Sequence, residues 1–180
     1  KKIKGLKNDI LFIQSNNIRK LLAEISFKIN KKIPDNIIAV TGTNGKSSVA
    51  DFYYQILDLN KKKVASIGTL GIKSKKFKKD LSNTTIDPIQ LSKILSNLKK
   101  QNINNVIMEA SSHGLSQNRL DGLSFNTGIF TNLSQDHLDY HKNIKAYLKA
   151  KLYLFEKLIK KNGNIITDEK IPEFKKIKNI

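Results

Sequence analysis

Residues 41–48 have the residue types needed to bind a phosphate group. Their sequence, Thr-Gly-Thr-Asn-Gly-Lys-Ser-Ser, directly follows the apolar run 37–40. Glycines permit positive φ, so that consecutive N–H groups can converge on an anion at the start of a helix. Lys46 would add a cation and Ser47 a hydroxyl for Mg²⁺. Because Val40 occupies the place of the first glycine in the pattern G-x-x-x-x-G-K-[ST], a simple turn between a strand and a helix stays the alternative interpretation.

Two further polar segments offer metal ligands. Glu109 follows the apolar residues 106–108, where an unpaired carboxylate is costly to bury and a divalent cation would compensate it. A salt bridge or a cap for the next loop is the alternative. Asp136 and His137 supply a carboxylate and an imidazole that suit Mg²⁺, Mn²⁺ or phosphate. The same segments also contain Asp139, His141 and His113, without the ligand spacing of a zinc site.

Lys151 lies on the apolar side of a predicted helix, between Leu148 and Phe155. A lysine there must pair, extend to solvent or change its charge. A lysine whose pKa is depressed can react with carbon dioxide to give a carbamate, an anion able to join a metal site. Periodicity alone favours extension of the amine to solvent.

The elements that position these residues alternate between strand and helix, which predicts an α/β fold with a mostly parallel sheet flanked by helices. We expect one amphipathic helix within residues 1–35, a solvated lysine-rich loop at 73–79 and a long helix over 144–159. Ligands bind at the carboxyl ends of strands in such sheets, so the segments 41–48, 109–113 and 132–141 are expected to meet in one crevice.

Composition limits the class of protein. With 180 residues, 39% of them hydrophobic, the chain is long enough for one well-buried domain. Cysteine is absent, which excludes disulfides and thiolate metal sites. No apolar run approaches the roughly 20 residues that span a bilayer, so we expect no membrane partner and a cytoplasmic location. The start at Lys1 indicates a piece of a longer protein.

The net charge of +18 raises the question of nucleic acid as a partner. The lysines are scattered along the chain, and arginine, which suits bidentate phosphate contacts, occurs only at Arg19 and Arg119. We therefore expect no nucleic-acid partner, and keep a basic, nucleic-acid-linked P-loop NTPase as the alternative function.

Several segments together resemble the Mur ligases of peptidoglycan synthesis. They are TGTNGKSS at 41–48, NTT at 83–85, MEASSHGL at 108–115, QNR at 117–119 and FTNLSQDHLDYH at 130–141. The first is shared with folylpolyglutamate and cyanophycin synthetases, whereas EASSHGL and DHLDYH are more selective. The resemblance runs in order from residue 37 to residue 166.

The resemblance implies a P-loop NTPase-like central domain of a three-domain protein. Residues 1–35 would then be a connector at the end of the N-terminal UDP-substrate domain, 36–170 the ATP-binding domain, and 171–180 the start of a linker to a C-terminal domain. The implied activity is ADP-forming ligation of a carboxylate to an amine through an acyl phosphate. The implied substrates are UDP-MurNAc-L-Ala-D-Glu and a diamino acid, meso-diaminopimelate, with L-lysine or another amino acid as the alternative. We expect a monomer, and a fragment that is inactive alone.

The resemblance also assigns site residues. The catalytic set would be Lys46, Glu109, His137 and Lys151, with ATP and Mg²⁺ as cofactors. The phosphates of ATP would contact Gly42, Thr43, Asn44, Gly45, Lys46, Ser47 and Ser48. Mg²⁺ would be held by Ser47, Glu109, His137 and Lys151 as its carbamate, because Lys151 matches a position that is carbamylated in the family; this reverses the preference from periodicity. The UDP-MurNAc-dipeptide would contact Asn83, Thr84, Thr85, Ser111, Gln117 and Arg119. Residues 167–169, Thr-Asp-Glu, depart from the family pattern near adenine.

Overall fold

The computed structural model describes residues 2–7, 10–75 and 77–180. The strands are β1 (Lys2–Lys7), β2 (Ile10–Gln14), β3 (Asn36–Thr41), β4 (Val64–Gly68), β5 (Gly71–Ser74), β6 (Phe77–Lys79), β7 (Asn105–Glu109), β8 (Phe125–Phe130) and β9 (Ile159–Thr167). The helices are α1 (Ile18–Ile29), α2 (Lys46–Leu59), α3 (Pro88–Lys100), α4 (Ser112–Ser116), α5 (Leu138–His141), α6 (Ile144–Tyr153), which continues into a π-helical turn (Leu154–Leu158), and α7 (Phe174–Lys178).

The main sheet confirms the predicted α/β fold. Within the described residues it has seven strands in the order β6-β5-β4-β7-β3-β8-β9. The five strands from β4 to β9 in this order are parallel, while β5 and β6 form an antiparallel edge. The central strand β3 is buried along residues 37–41, as its apolar β-branched sequence requires for a strand covered on both faces. Because β3 is parallel to its neighbours β7 and β8, its carboxyl end lies between theirs.

Side-chain caps fix where several helices begin. Asn17, Asp87 and Asn143 precede α1, α3 and α6, and each side chain accepts a hydrogen bond from a backbone N–H in the first turn. Pro88 follows Asp87 at the first helical position, where a missing N–H costs nothing. Asp87 and Pro88 together therefore fix the start of α3.

The first 35 residues differ from the prediction of a single amphipathic helix. α1 is present, but β1 and β2 form a separate antiparallel hairpin before it. The apolar side chains of β2 at residues 10–13 are all exposed. Neither face of this strand is buried, so its sequence lacks the alternation of apolar and polar residues that predicts a strand. Within α1, Ile18 and Ile29 are also exposed, whereas Leu21 and Phe27 are buried. The domain boundaries at residues 35 and 170 stay a prediction.

Two other predicted elements are wrong in part. The lysine-rich segment 73–79 is largely hairpin, because β5 and β6 extend the sheet through it; Lys76 lies outside the described residues. The helix predicted over 144–159 ends earlier, and Ile159 begins β9. The buried residues Leu154, Phe155 and Leu158 continue the apolar spacing through the π-helical turn. For this reason, periodicity predicts a helix that is longer than the observed one. In the part of the chain that is described, no helix has both the length and the apolar character needed to cross a bilayer.

Candidate functional site

The loop between β3 and α2 has a backbone that requires glycine at two positions. Gly42 has φ +149, and a Cβ there would lie 1.8 Å from Thr131 Oγ1. Gly45, with φ +82, directly precedes α2. The segment after β8 holds the loop in place, because Thr43 N donates to Asn132 O over 2.9 Å and Thr131 Oγ1 donates to Asn44 O over 2.7 Å. The result is a fixed turn at a helix N-terminus, the geometry that suits phosphate.

Lys46 folds back onto this loop. Its Nζ donates to Gly42 O over 3.1 Å and to Thr43 O over 2.8 Å. Burial lowers the pKa of Lys46, and the charges of Glu109 and Asp136 oppose that effect. The amine is thus held at the loop, where it can meet a phosphate.

Glu109 is a buried carboxylate at the carboxyl end of β7, with 3% of its surface exposed. Thr69 donates to it twice, from N to Oε1 over 2.8 Å and from Oγ1 to Oε2 over 3.2 Å. No lysine, arginine or histidine among the described residues forms an ion pair with it. A Cβ on Gly68 would lie 2.2 Å from Oε1, so the strand approaches the carboxylate closely. A buried carboxylate that forms no ion pair with the described residues is suited to a divalent metal ion.

The amine of Lys151 is buried rather than extended to solvent, contrary to the interpretation from periodicity. The residue is 1% exposed, and Nζ donates to Gly42 O over 2.6 Å. Nζ also lies 4.2 Å from the centre of the Tyr147 ring. Burial, followed by the charge of Lys46, lowers the pKa of Lys151 to about 7. A substantial share of the amine is therefore neutral, and hence nucleophilic, near neutral pH.

The chain's three histidines lie close to one another. The ring of His113 is 4.9 Å from that of His137 and 5.5 Å from that of His141. His137 has φ +53, and its backbone N donates to Asp136 Oδ1. His141 is buried, and its Nε2 forms a hydrogen bond of 3.0 Å with Ser112 Oγ, which indicates a structural role. Of the three, His137 lines the cleft described next.

One cleft of about 330 Å³ collects most of the predicted site residues. It is lined by Thr43, Asn44, Gly45, Lys46, Ser47, Ser48, Thr69, Thr84, Glu109, Ser111, Ser112, His137, Tyr147 and Lys151. The predicted site residues that are not among its lining residues are Gly42, Asn83, Thr85, Gln117 and Arg119. Thr85 is buried and joins two segments, since its Oγ1 donates to Glu109 O and accepts from Ser111 N. Gln117 and Arg119 lie at a separate cavity.

Thr69 and Tyr147 were missed by sequence reasoning. Thr69 follows the carboxyl end of β4, so the strand-end rule that selected Glu109 could have selected it as well. The Tyr147 hydroxyl lies 3.3 Å from Thr43 Oγ1, 104 positions away in the chain. Sequence spacing carries no signal for a contact of that range.

The residues present are suited to a metal ion that shares its coordination with other groups. Among the described residues, no three or more His, Cys, Asp or Glu side chains form a group that could hold a metal ion by itself. Mg²⁺ usually keeps waters and substrate phosphates as ligands and takes few carboxylates from the protein. Glu109 beside a phosphate loop fits this kind of site.

The sheet, the glycine loop and the helix that follows it define a phosphate-binding α/β domain of the P-loop type. Residues 40–179 match the family model described as Mur ligase middle domain. The chain belongs to this family.

Relatives and solved structures agree with the family assignment. The chain is 42% identical over 180 residues to UDP-N-acetylmuramoyl-L-alanyl-D-glutamate--2,6-diaminopimelate ligase of Rickettsia bellii, covering 98% of this chain and 38% of the relative. It is 45% identical over 152 residues to the ligase of the same name from Bradyrhizobium diazoefficiens, covering 84% and 31%. A solved structure with that ligase's name has a TM-score of 0.80 at 30% identity, over 93% of this chain and 34% of that one. A MurF ligase from Thermotoga maritima in complex with ADP has a TM-score of 0.66 at 16% identity, covers 96% of this chain and 37% of that one, and supports the fold alone. The chain thus spans about a third of the length of these relatives.

Proposed function

We propose that the protein containing this chain is an ATP-dependent, ADP-forming ligase that adds meso-diaminopimelate to UDP-MurNAc-L-Ala-D-Glu. The observation that carries the proposal is a single cleft in which a phosphate loop, the buried carboxylate of Glu109 and the buried amine of Lys151 meet. The names of the relatives supply the substrates. The cytoplasmic location and the monomeric state expected from the sequence belong to the same proposal.

The reaction consists of two transfers. An acceptor carboxylate oxygen attacks the γ-phosphorus of ATP, and the bond to ADP breaks to leave an acyl phosphate. The amine nitrogen of the diamino acid then attacks the acyl carbon, loses a proton, and the carbon expels phosphate to form the amide. Catalysis of such steps depends mainly on positioning and on neutralising charge. Lys46 and the loop amides of residues 42–48 are placed to provide both.

Mg²⁺ would supply further neutralisation of phosphate charge when bound. Ser47, Glu109, His137 and the carbamate of Lys151 are the residues that would hold it. The double hydrogen bond from Thr69 keeps the Glu109 carboxylate in one orientation, which lowers the cost of organising the site.

Carbamylation of Lys151 is part of the proposal. The neutral amine attacks carbon dioxide, an N–C bond forms, and the nitrogen loses a proton to give an anionic carbamate. Burial and the nearby charge of Lys46, which together lower the pKa of Lys151 to about 7, supply the neutral amine. The same burial protects a carbamate from water.

The acceptor would be bound along the edge of the cleft. Thr84 and Ser111 line the cleft, and Thr85 holds the segment of Ser111 in place. Asn83 is exposed beside Thr84, so its side chain is accessible to a ligand. Gln117 and Arg119, which lie at the separate cavity, would contact a more distant part of the acceptor.

Release of ADP by the complete protein tests the function. We expect turnover that requires UDP-MurNAc-L-Ala-D-Glu, with meso-diaminopimelate preferred over L-lysine and other amino acids. Lys46→Ala should abolish it, because the loop loses its cation, whereas the exposed Lys61→Ala should not. Absence of acceptor-dependent turnover with every amino acid would refute the proposal. Stimulation by nucleic acid without the acceptor would favour a nucleic-acid-linked NTPase instead.

A further inference from the structure

Asp121 is a buried carboxylate in the connection between α4 and β8, with 2% of its surface exposed. The hydroxyl of Tyr153 donates to its Oδ1 over 2.6 Å, and Asn118 Nδ2 donates to its Oδ2 over 3.2 Å. Lys20 Nζ, from α1, lies 3.4 Å from Oδ1. Both oxygens of the carboxylate therefore have partners, which come from three separate parts of the chain.

The Tyr153 hydroxyl is suited to be a permanent donor to this carboxylate. Burial, followed by the hydrogen bond to Asp121 and the charge of that carboxylate, raises the pKa of Tyr153. The hydroxyl also accepts a hydrogen bond of 3.3 Å from Asn118 Nδ2. It thus keeps its proton and is held by two partners, so its place in the fold is fixed.

The anchor to which Tyr153 is attached is itself held by α1. Asn17, the cap residue of α1, donates from Nδ2 to Asn118 Oδ1 over 2.9 Å. Its Oδ1 accepts from the backbone N–H of Lys20, the residue whose amine contacts Asp121. The carboxylate is therefore tied to the first turn of α1 as well as to the segment after α4.

Tyr153 is the last residue of α6 and lies two positions beyond Lys151. Because successive residues of an α-helix are about 100° apart around its axis, these two side chains leave the helix in nearly opposite directions. Lys151 donates to Gly42 O in the phosphate loop, while Tyr153 donates to Asp121. Attachments on opposite sides of a helix resist its rotation about the axis.

The chain after Tyr153 does not continue the regular helix. A π-helical turn begins at Leu154 and β9 begins at Ile159, so no further α-helical turn fixes the rotation of this end of α6. The apolar packing of the buried Leu148 and Leu152 is non-directional, whereas a hydrogen bond depends on direction. The contact of Tyr153 therefore supplies a directional restraint on the turn that contains Lys151.

We propose that Asp121 and Tyr153 are positioning residues that set the rotation of α6 and thereby place the Lys151 amine beside the phosphate loop. This inference rests on the proposed function, in which Lys151 contributes to the metal site as its carbamate. Neither Asp121 nor Tyr153 is among the lining residues of the cleft, so both act through Lys151. A misplacement of about 1 Å can cost a reaction about 100-fold in rate, so a small rotation of α6 matters.

Steady-state kinetics of the complete protein test the role of the hydroxyl. In Tyr153→Phe, which keeps the ring, we expect kcat to fall about tenfold because the Lys151 carbamate is displaced from ATP. The KM for ATP and for the acceptor should change less than about twofold, since the phosphate loop and the acceptor residues stay in place. Asp121→Asn keeps an oxygen acceptor and should retain most of kcat, whereas Asp121→Leu should resemble Tyr153→Phe.

Tyr53→Phe is the matched control. The Tyr53 hydroxyl accepts a hydrogen bond from Asn36, at the amino end of β3 and so at the opposite end of the strand from the phosphate loop. Its removal should leave kcat unchanged. An unaltered kcat in Tyr153→Phe, or an equal loss in Tyr53→Phe, would overturn the inference.

Combination with Lys151→Ala distinguishes positioning from a merely structural role. When acetate supplies the anion in Lys151→Ala, that anion no longer depends on the rotation of α6. Adding Tyr153→Phe should then leave the rate unchanged, and the same holds for the residual rate without acetate. A structural role would lower the rate by the same factor with and without Lys151, so equal factors would refute positioning.

Crystal structures of the complete wild-type protein and of Tyr153→Phe separate this inference from the proposed function. We expect the nitrogen of the Lys151 side chain to move away from Gly42 O in the variant. An unmoved nitrogen would refute the positioning role, and turnover by the wild type would then leave the ligase intact. A displaced nitrogen in a protein whose wild type shows no turnover would refute the ligase and leave the placement of Lys151 by Tyr153 standing.

Discussion

Lys151 acquires its chemistry from the groups that surround its amine. The amine donates to Gly42 O, contacts the Tyr147 ring and is close enough to Lys46 for the two charges to repel. Spacing relative to Leu148 and Phe155 predicts that the residue lies on the buried side of its helix. Spacing could not predict that Gly42 O, 109 positions away, accepts a hydrogen bond from this amine. For an amine without such a partner, periodicity predicts extension to solvent.

The lowered pKa of Lys151 makes stability depend on pH. The pKa falls from 10.5 in the unfolded chain to about 7 in the folded one, so between these values the unfolded state binds more protons. The free energy of unfolding should therefore rise with pH across this window, by about 2 to 3 kcal/mol between pH 7 and pH 9. Urea unfolding of the chain in buffers free of carbon dioxide measures it. Lys151→Met should lose this rise while the exposed Lys149→Met keeps it; identical pH profiles for the wild type and Lys151→Met would contradict the assignment.

Chemical rescue addresses the carbamate. Lys151→Ala should inactivate the complete protein, because an anion is lost from the proposed metal site. Acetate or formate should restore part of the activity by supplying a carboxylate in the space left by the side chain. The measurement is ADP release against carboxylate concentration, with Lys149→Ala as the control. Wild-type rates in Lys151→Ala without any addition would remove the carbamate from the mechanism.

The two loop glycines should respond differently to a methyl group. In Gly42→Ala the new Cβ would lie 1.8 Å from Thr131 Oγ1, so the loop must move; in Gly45→Ala it meets no atom within 4 Å. We expect Gly45→Ala to cost about 1 kcal/mol of unfolding free energy from its positive φ alone. Gly42→Ala should cost clearly more and also weaken ATP binding. Urea unfolding and calorimetry compare them, and equal costs would show that the contact with Thr131 does not limit the loop.

At the level of elements, the buried strands and capped helices could be predicted, and the exposed or irregular elements could not. β3 and β7 were recognised because burial on both faces demands an apolar run. The hairpin of β1 and β2 stands apart from the main sheet, so burial imposes no pattern on β2. The π-helical turn Leu154–Leu158 directly precedes β9, and its apolar residues are buried like those of α6. Periodicity therefore could not show where the helix ends and the strand begins.

The cap of α6 should matter because this helix carries both Tyr147 and Lys151. Asn143 Oδ1 accepts from Ala146 N over 2.9 Å. Asn143→Ala should lower the free energy of unfolding by about 1 kcal/mol, because a backbone N–H loses its acceptor. Asn143→Asp keeps an acceptor and places a negative charge at the helix N-terminus, so it should retain most of the stability. Thermal unfolding of the two variants tests this, and an equal loss in both would exclude the cap as the cause.

For the whole molecule, fold class and the meeting of the polar segments in one crevice followed from strand order and strand ends. The positions of Gln117 and Arg119 could not be predicted in this way. A resemblance assigns a residue to a substrate without saying which part of the substrate the residue contacts. The structure places both of them at a cavity shared with α1. That arrangement depends on how the helices pack, which local sequence does not encode.

The isolated chain should bind nucleotide without completing the reaction. The loop and cleft are formed within residues 41–151, whereas the related ligases are nearly three times as long as this chain, which covers 38% of the Rickettsia bellii relative. We expect calorimetry to detect ATP binding in the presence of Mg²⁺, and the Lys46→Ala chain to bind more weakly. No amide should form with acceptor and diamino acid present. Substantial ligation by the chain alone would contradict this expectation.

The hairpin at the start of the chain has a consequence for handling the isolated chain in solution. Residues 10–13 of β2 present four consecutive exposed apolar side chains on a two-stranded sheet. Such a surface favours self-association, which the net charge of +18 opposes through repulsion between copies. Salt screens that repulsion, since the Debye length falls from about 10 Å at 0.1 M to about 3 Å at 1 M. The colloidal stability of the isolated chain is therefore greatest in dilute buffer, and concentrated salt works against it.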